Sequence, residues 1–345
     1  MAAGKIKIFM ASNTRRGRAL RAMWLGARRM DLDCAVVEPL RYEPCDVAVV
    51  WGMPKEESSK TAKGRDRQRF RHDLFNRHRG PVVVMDAPVI GRRMRPSAPL
   101  PWWLRRLPPR EVAWASKFLP VETGEPVAHY RIGLGSFPDD GALALAPFCS
   151  GRWERLSRRL GNPQIKPYRT EGRHILVIGE APGDAALRGV DMNAWLLATV
   201  LELREKTDRP IVIRPHPRAG EFGDAVILAL LKERRIMLED AEKPISECLE
   251  DAWSVVTYTS GAAIEALMAG IPAISVSPAS FAWAVTDHAI ADAVTPTLHD
   301  RAPWLDKIAA AQWCEDEIVS GAVWTPLAEA IAAAGLKKRS TGRAA

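Results

Sequence analysis

Short apolar runs alternate with segments of helical periodicity in the first ninety residues. Leu20, Met23, Trp24 and Ala27 repeat at helical spacing between the first two runs, and a polar helical segment, GRDRQRFRHDLFNRH, precedes the last run. The four apolar runs are KIKIFM, CAVVEP, CDVAVVWG and PVVVMDAP. Parallel strands need a crossover connection, so this alternation predicts a parallel β-sheet, which binds ligands at the carboxyl ends of its strands.

A second alternating series begins at residue 174. Strands are predicted in HILVIGE, PIVIRPHP, IMLED, SVVTYTS and PAISVS, with helices in WLLATVLELREK, DAVILALLKER, ISECLEDA and GAAIEALMAG. Between the two series, residues 91–170 are rich in Pro, Arg and Trp and predict loops. The chain therefore predicts an α/β protein with two Rossmann-like domains facing a cleft.

We place the first, basic domain at residues 1–172, the second at 173–335 and a frayed basic tail at 336–345. Two further helices are predicted near the end, in WLDKIAAAQWCEDEIVSG and PLAEAIAAAG. Such helices can pack across both domains.

The amino-acid composition excludes several classes of protein. The 345 residues are 47% hydrophobic and 26% charged, enough for two ordinary cores, which excludes a disordered or fibrous chain. No apolar run approaches the roughly 18 residues of a membrane span, and the N-terminus lacks signal-peptide organisation, so we expect a cytoplasmic protein. The five cysteines contain no CxxC pair and the histidines show no ligand spacing, so neither a disulfide framework nor a metal site is expected.

The charge is divided unevenly. Residues 1–173 carry 33 Lys and Arg against 17 Asp and Glu, whereas the remaining residues carry 16 against 24. A basic half attracts DNA, RNA, an anionic membrane surface or an acidic glycan, although a solvated basic surface has the same composition.

The run PIVIRPHP delivers Arg214 and His216 to the carboxyl end of a buried strand, between two prolines that fix the turn. Arg214 can hold a diphosphate by two parallel hydrogen bonds, and His216 can donate to a phosphate oxygen or to the leaving group. The simpler alternative is that both side chains only cap a loop.

The segment SVVTYTSGAAIEALMAGIPAISV reads as strand, turn, helix and strand. Thr259, Ser260 and Gly261 lie where the helix begins, and free amides at that end favour an anion. Glu265 lies one turn inside, where a carboxylate can accept hydrogen bonds from ribose hydroxyls. Alternatively, Ser260 is an ordinary N-cap and Glu265 a surface charge.

Together, RPHP and TYTSGAAIEALMAGIPAISV resemble the C-terminal domain of bacterial capsule-polysaccharide and Kdo-transferase-like glycosyltransferases, over about residues 172–290. The resemblance implies a GT-B fold, a nucleotide sugar bound by the second domain, and no bound metal or cofactor. It assigns Arg214 and His216 to donor phosphates, Thr259, Ser260 and Gly261 to the diphosphate or sugar, and Glu265 to ribose. A weaker resemblance, in SPASFAWAV and AAQWCEDEIVSGAVW, is to phage-encoded glycosyltransferases.

The catalytic base is predicted from position. Asp86 ends the run PVVVMDAP, which points it into the predicted cleft, where an inverting transfer needs a carboxylate to deprotonate the acceptor hydroxyl. Phage enzymes that glucosylate hydroxymethylcytosine in DNA are similar in length and layout and also have a base Asp at a strand end. Asp86 can instead cap its loop, and Glu38 is the reserve base.

The loops from residue 63 to 110 combine many arginines with tryptophans, a mixture that suits phosphate contacts and base stacking. It suits a membrane interface equally well. The predicted acceptor-binding residues are Arg92, Arg93, Arg95, Trp102, Trp103, Arg105 and Arg106.

These features predict a glycosyltransferase that uses a nucleotide sugar such as a UDP-sugar or CMP-sugar. Its favoured acceptor is a hydroxymethylated pyrimidine in phage DNA, because a basic acceptor domain matches a polyanion. The main alternative is an anionic or lipid-linked glycan of capsule or lipopolysaccharide. A non-catalytic DNA-binding protein on the same scaffold and a sugar-nucleotide epimerase are the remaining hypotheses.

Overall fold

The computed structural model describes residues 4–10, 15–38, 40–54, 61–90, 128–134, 151–219, 222–223 and 225–341. Within these residues the strands form two sheets. The strands are β1 (Ile6–Phe9), β2 (Cys34–Val37), β3 (Val47–Trp51), β4 (Val82–Asp86), β5 (His129–Leu134), β6 (His174–Ile178), β7 (Ile211–Arg214), β8 (Ile236–Leu238), β9 (Ala252–Thr257), β10 (Ala273–Ser275) and β11 (Gln312–Cys314).

The first sheet has the order β11-β5-β4-β3-β1-β2. Strands β2, β1, β3 and β4 run parallel, as the alternating pattern predicts, and β5 and β11 extend the sheet by antiparallel pairing. The four predicted strands are confirmed. Strand β5 lies in the region where no regular element is predicted, because HYRIGL contains an arginine and a glycine and lacks an uninterrupted apolar run.

The second sheet has the order β10-β9-β6-β7-β8 and is parallel throughout. Its central strands are apolar along their length, and Ile175, Leu176, Val177 and Ile178 are all buried. Continuous burial of this kind is typical of parallel strands covered by helices on both faces. All five strands predicted in this half of the chain are confirmed.

The helices connect and cover these sheets. They are α1 (Arg15–Arg29), α2 (Ala62–Arg77), α3 (Arg152–Arg159), α4 (Met192–Lys206), α5 (Ala225–Glu233), α6 (Ile245–Cys248), α7 (Ala262–Met268), α8 (Ala302–Ala311), α9 (Glu315–Ser320) and α10 (Trp324–Thr341). Asp191 caps α4 by accepting hydrogen bonds from the amides of Asn193 and Ala194 at 3.0 and 3.1 Å. None of the helices among the described residues is long and apolar enough to cross a bilayer.

The end of the chain crosses between the two units. Helix α8 buries Trp304 and Ile308 in the core of the second unit. The chain then adds β11 to the first sheet, and α9 packs on α1 so closely that a side chain at Gly26 would meet the carbonyl oxygen of Ile318. Helix α10 follows, and the Trp324 indole donates to the Met23 carbonyl at 3.1 Å.

Residues between 312 and 331 therefore contribute a strand and buried side chains to the first unit. The predicted domain boundaries, 1–172 and 173–335, stay a prediction. The predicted helix WLDKIAAAQWCEDEIVSG is also divided, into α8, β11 and α9. Helical periodicity does not reveal this break, because it depends on hydrogen bonds that the buried Gln312 forms with a distant segment of the chain. The Gln312 side chain accepts from the amides of Val89 and Ile90 and donates to the Ile90 carbonyl.

The fold class predicted from the sequence, α/β with two Rossmann-like units, is confirmed by the two sheets and their crossover helices. The last helix continues through Thr341, into residues predicted to form a frayed tail.

Candidate functional site

The second sheet has a point where the direction of strand addition reverses. From β6 the chain adds β7 and then β8 on one side, and it returns to add β9 and β10 on the other. Ligands in open parallel sheets bind in the crevice outside the carboxyl ends of the strands at such a point. The chain segments that leave β6, β7 and β9 here carry Glu180, His216 and Thr259.

Glu180 joins the turns after β6 and β9. It is 7% exposed, and its carboxylate accepts a hydrogen bond from the Thr259 amide and another, at 2.5 Å, from the Thr259 hydroxyl. Burial raises the pKa of Glu180 to about 7, although the hydrogen bonds from Thr259 oppose this shift. A buried carboxylate therefore fixes the relative positions of two crevice turns.

His216 lies half-buried at the end of β7, and its amide is close to Gly179. The ring Nδ1 accepts a hydrogen bond from the backbone amide of Arg218 at 3.0 Å. Burial, with the positive charges of Arg218 and Arg214, lowers the pKa of His216. Because Nδ1 is an acceptor, the neutral ring carries its proton on Nε2, which makes His216 a hydrogen-bond donor at that atom.

Arg214 forms hydrogen bonds with the loop that follows β8. One terminal nitrogen of its guanidinium donates to the carbonyls of Ala241 and Lys243 at 3.0 and 2.7 Å. These bonds correspond to the loop-capping alternative considered for Arg214. Its predicted contact with a diphosphate stays a prediction.

The residues after β9 form a turn before a short helix. Both hydrogen-bond donors of Thr259 are used by Glu180. The Ser260 hydroxyl accepts from the Ala262 amide at 3.2 Å in a local turn, whereas the N-cap of the helix is Gly261. Gly261 precedes α7, which has seven residues, and Glu265 lies exposed in its first turn. The contacts predicted for these residues with a nucleotide sugar stay predictions.

Asp86 lies at the carboxyl end of β4 in the first sheet, directly opposite Arg131 of β5. Its carboxylate is 3.6 Å from the Arg131 guanidinium and accepts from the Ala87 amide at 2.8 Å. A Cβ built at Gly52 would lie 3.6 Å from Asp86 Oδ2 and 3.7 Å from an Arg71 Nη, so two arginines flank the carboxylate. Glu38, the reserve base, is exposed at the end of the edge strand β2.

The carboxyl edges of the two sheets meet beside Asp86. The Arg131 guanidinium stacks over the ring of Phe281, 4.2 Å from its centroid. Phe281 follows β10 of the second sheet and packs partly buried against both cores. One arginine therefore contacts the predicted base and the second unit, which places Asp86 at the contact between the two units.

The predicted acceptor residues, Arg92, Arg93, Arg95, Trp102, Trp103, Arg105 and Arg106, lie outside the described residues. Across the part of the chain that is described, no three His, Cys, Asp or Glu side chains are grouped as metal ligands would be.

Sequence reasoning missed two residues at this site, Glu180 and Arg131. Glu180 follows the apolar run HILVIG as His216 follows PIVIRP, so the strand-end argument applied to RPHP also selects it. Arg131 carried no comparable signal, because its role depends on the antiparallel pairing of β5 with β4.

No protein-family model matches this chain, and no curated protein matches its sequence. Among solved structures, KpsC β Kdo 2,7 transferase of Thermosulfurimonas dismutans is similar, with 15% identity, 92% of this chain and 98% of that chain covered, and a TM-score of 0.47. KpsC β Kdo 2,4 transferase of the same organism gives 13% identity, 91% and 98% coverage and a TM-score of 0.47. A UDP-GlcNAc 2-epimerase of Methanocaldococcus jannaschii is 14% identical, with 79% of this chain and 83% of that chain covered and a TM-score of 0.26. With TM-scores below 0.5, these similarities carry no inference about activity.

Proposed function

We propose that this protein is a glycosyltransferase that uses a nucleotide sugar and transfers the sugar to a hydroxyl of an anionic acceptor. The supporting observation is the contact of Arg131 with both Asp86 and Phe281, where the carboxyl edges of the two sheets meet. A transfer between two substrates needs such an arrangement, with one substrate on each unit and the reacting atoms between them.

In the proposed reaction, the donor lies in the crevice of the second unit. Asp86 takes the proton of the acceptor hydroxyl as that oxygen forms a bond to the anomeric carbon and the bond to the donor phosphate breaks, with inversion at the carbon. His216 donates from Nε2 to the departing phosphate oxygen, and the Arg218 amide holds the ring in the required tautomer.

Glu180 serves as a positioning residue in this proposal. By accepting from Thr259 it fixes the turn after β9 beside the turn after β6, so the crevice is formed before the donor arrives. Arg131 similarly orients the Asp86 carboxylate.

The acceptor is proposed on charge. The excess of Lys and Arg in the first half of the chain supports a polyanion, and the DNA hypothesis and the glycan hypothesis both fit this charge. The proposal therefore retains hydroxymethylated DNA and anionic or lipid-linked glycan as two acceptors to be separated by assay.

The deciding experiment incubates the protein with radiolabelled UDP-sugars and CMP-sugars and offers several acceptors in parallel. These are hydroxymethylcytosine DNA, hydroxymethyluracil DNA, unmodified DNA, a membrane lipid extract and an acidic oligosaccharide. Transfer of label to an acceptor supports the proposal, and label found only in lipid or oligosaccharide removes the DNA hypothesis.

Two controls separate the other functions. A non-catalytic DNA-binding protein shows salt-sensitive DNA binding with no thermal stabilisation by nucleotide. An epimerase converts the donor sugar without any acceptor. Either result, with no label transferred, would overturn the proposed transfer.

A further inference from the structure

The first sheet has its own reversal point, and a pocket lies there. Strand β2 is added on one side of β1, and β3 and β4 are added on the other. The carboxyl ends of β1 and β3 supply Phe9, Met10, Val50 and Trp51 to the pocket wall. Its position follows the same rule as the crevice of the second sheet, although none of the predicted site residues line it.

The pocket combines apolar walls with three arginines. Phe70 of α2 and Leu20 of α1 continue the apolar surface, and the cations are Arg16, Arg67 and Arg71. The cavity volume is about 30 Å³, so the pocket is small. No carboxylate is among its lining residues in the described part of the chain, and the nearby Asp86 lies outside that lining.

Arg71 is held rigidly at this pocket. Its Nε donates to the Trp51 carbonyl at 2.8 Å, and one Nη donates to the Gln68 side chain at 2.7 Å. Arg67 lies one helical turn before it on α2, and neither Arg67 nor Arg16 forms an ion pair with any described residue. The guanidinium of Arg71 is thus fixed in place before any ligand binds.

The positive charges of Arg16, Arg67 and Arg71 repel one another. Burial, followed by the charge of Arg16, lowers the pKa of Arg71 to about 10, with Arg67 acting in the same direction and Asp86 opposing. Like charges held together at a partly desolvated site favour the entry of an anion, which relieves their repulsion.

We propose that this pocket binds one terminal anionic group, a carboxylate or a phosphate monoester, of a glycan acceptor. The identification of the ligand as an acceptor rests on the proposed function. A phosphate within a duplex backbone continues into chain on both sides, whereas this pocket is small and is lined by apolar side chains besides its arginines, which suits the end of a molecule.

The pocket adjoins the predicted base. Arg71 and Asp86 flank the same point above Gly52, where the backbone φ of +68° suits glycine. An acceptor whose charged group rests on Arg71 therefore places its neighbouring hydroxyls beside Asp86. The pocket then acts as the group that orients the acceptor for transfer.

Binding is measured by calorimetric titration of the full chain, without any nucleotide sugar, using inorganic phosphate, glucuronate, uncharged glucose and a short DNA duplex as probes. Phosphate and glucuronate should bind and glucose should not. Arg67→Ala and Arg16→Ala should each weaken binding by about tenfold, the loss expected for one charge-assisted hydrogen bond.

The matched control is Arg69→Ala, because Arg69 is exposed on the same helix, pairs with Asp66 and lies outside the pocket. It removes the same charge and should leave binding unchanged, and thermal unfolding verifies that every variant folds. Equal weakening in all three variants, no binding of either anion, or binding of duplex DNA alone would overturn the proposal. The titration contains no nucleotide sugar, so it measures anion binding independently of glycosyl transfer. Failure of the proposed transfer and failure of anion binding can therefore be distinguished.

Discussion

Each of the two sheets has a point where its strand order reverses, and the side chains at these two crevices balance charge in opposite ways. In the second unit, the buried Glu180 is fully engaged by Thr259, and the turns around it are fixed by internal hydrogen bonds. In the first unit, Arg16, Arg67 and Arg71 surround a pocket that contains no carboxylate among its described lining residues. The charge of the second crevice is internally compensated, whereas the lining of the first carries an excess of positive charge.

In open parallel sheets, strand topology selects where a ligand binds, and side-chain chemistry selects what is bound. The two crevices share the topology and differ in the chemistry. A compensated crevice presents oriented groups such as His216 Nε2 without net charge at the turn itself. An uncompensated one attracts a charged partner. Asp86 lies between them, paired with Arg131 and near Arg71.

The largest effect is expected for Asp86→Asn. Loss of the proposed general base should reduce kcat by about 10² to 10⁴-fold, while thermal stabilisation by the donor is retained because the proposed donor site is on the other unit. Transfer rates and nucleotide-induced shifts in Tm measure the two effects. Asp73→Asn is the matched control, since Asp73 pairs with Arg77 on the outer face of α2. Full activity of Asp86→Asn would show that the base is another group.

The second largest effect is expected at Glu180, whose titration makes the stability of the fold depend on pH. The pKa of Glu180 rises to about 7 in the folded chain from 4.5, so the native state binds an extra proton between these values. Stability contributed by this group is therefore lost as pH rises through that window, by roughly 3 kcal/mol at most.

Glu180→Gln should remove this loss, which chemical denaturation at pH 5 and pH 8 measures. Glu202→Gln, at an exposed position of α4, is the control and should leave the wild-type difference in place. An unchanged pH dependence in Glu180→Gln would mean that Glu180 does not titrate in this range.

A smaller effect is expected for His216→Ala. Loss of the Nε2 donor should weaken donor binding about tenfold, as removal of one hydrogen bond to a charged phosphate does. Titration with the nucleoside diphosphate measures it, and His72→Ala, exposed on α2, serves as control. Donor affinity equal to wild type would remove His216 from the site and weaken the comparison between the two crevices.

The smallest effect is expected for Ser260→Ala. Loss of the hydrogen bond from the Ala262 amide should lower the free energy of unfolding by about 1 kcal/mol. If Ser260 only caps the turn, donor affinity stays at the wild-type value. A weaker donor affinity would instead place Ser260 among the groups that contact the nucleotide sugar, as the family resemblance implies.

Several elements of this site were accessible from sequence because they depend on local pattern. Buried parallel strands appear as short apolar runs, so the positions of Asp86, His216 and Thr259 at strand ends were correctly predicted. The use of their side chains was harder to predict. Arg214 and Thr259 bond to neighbouring loops, and these partners lie 27 to 79 residues away along the chain.

By itself the sequence determined the two alternating α/β series and which residues stand at the strand ends, because apolar periodicity is a local property of the chain. Only the tertiary structure decided how these ends are paired. The contact of Arg131 with Asp86 and Phe281, the bond between Glu180 and Thr259, and the joining of Arg16 with Arg67 and Arg71 all unite distant segments. Such contacts depend on strand order and crossover geometry, which hydrophobic periodicity does not encode.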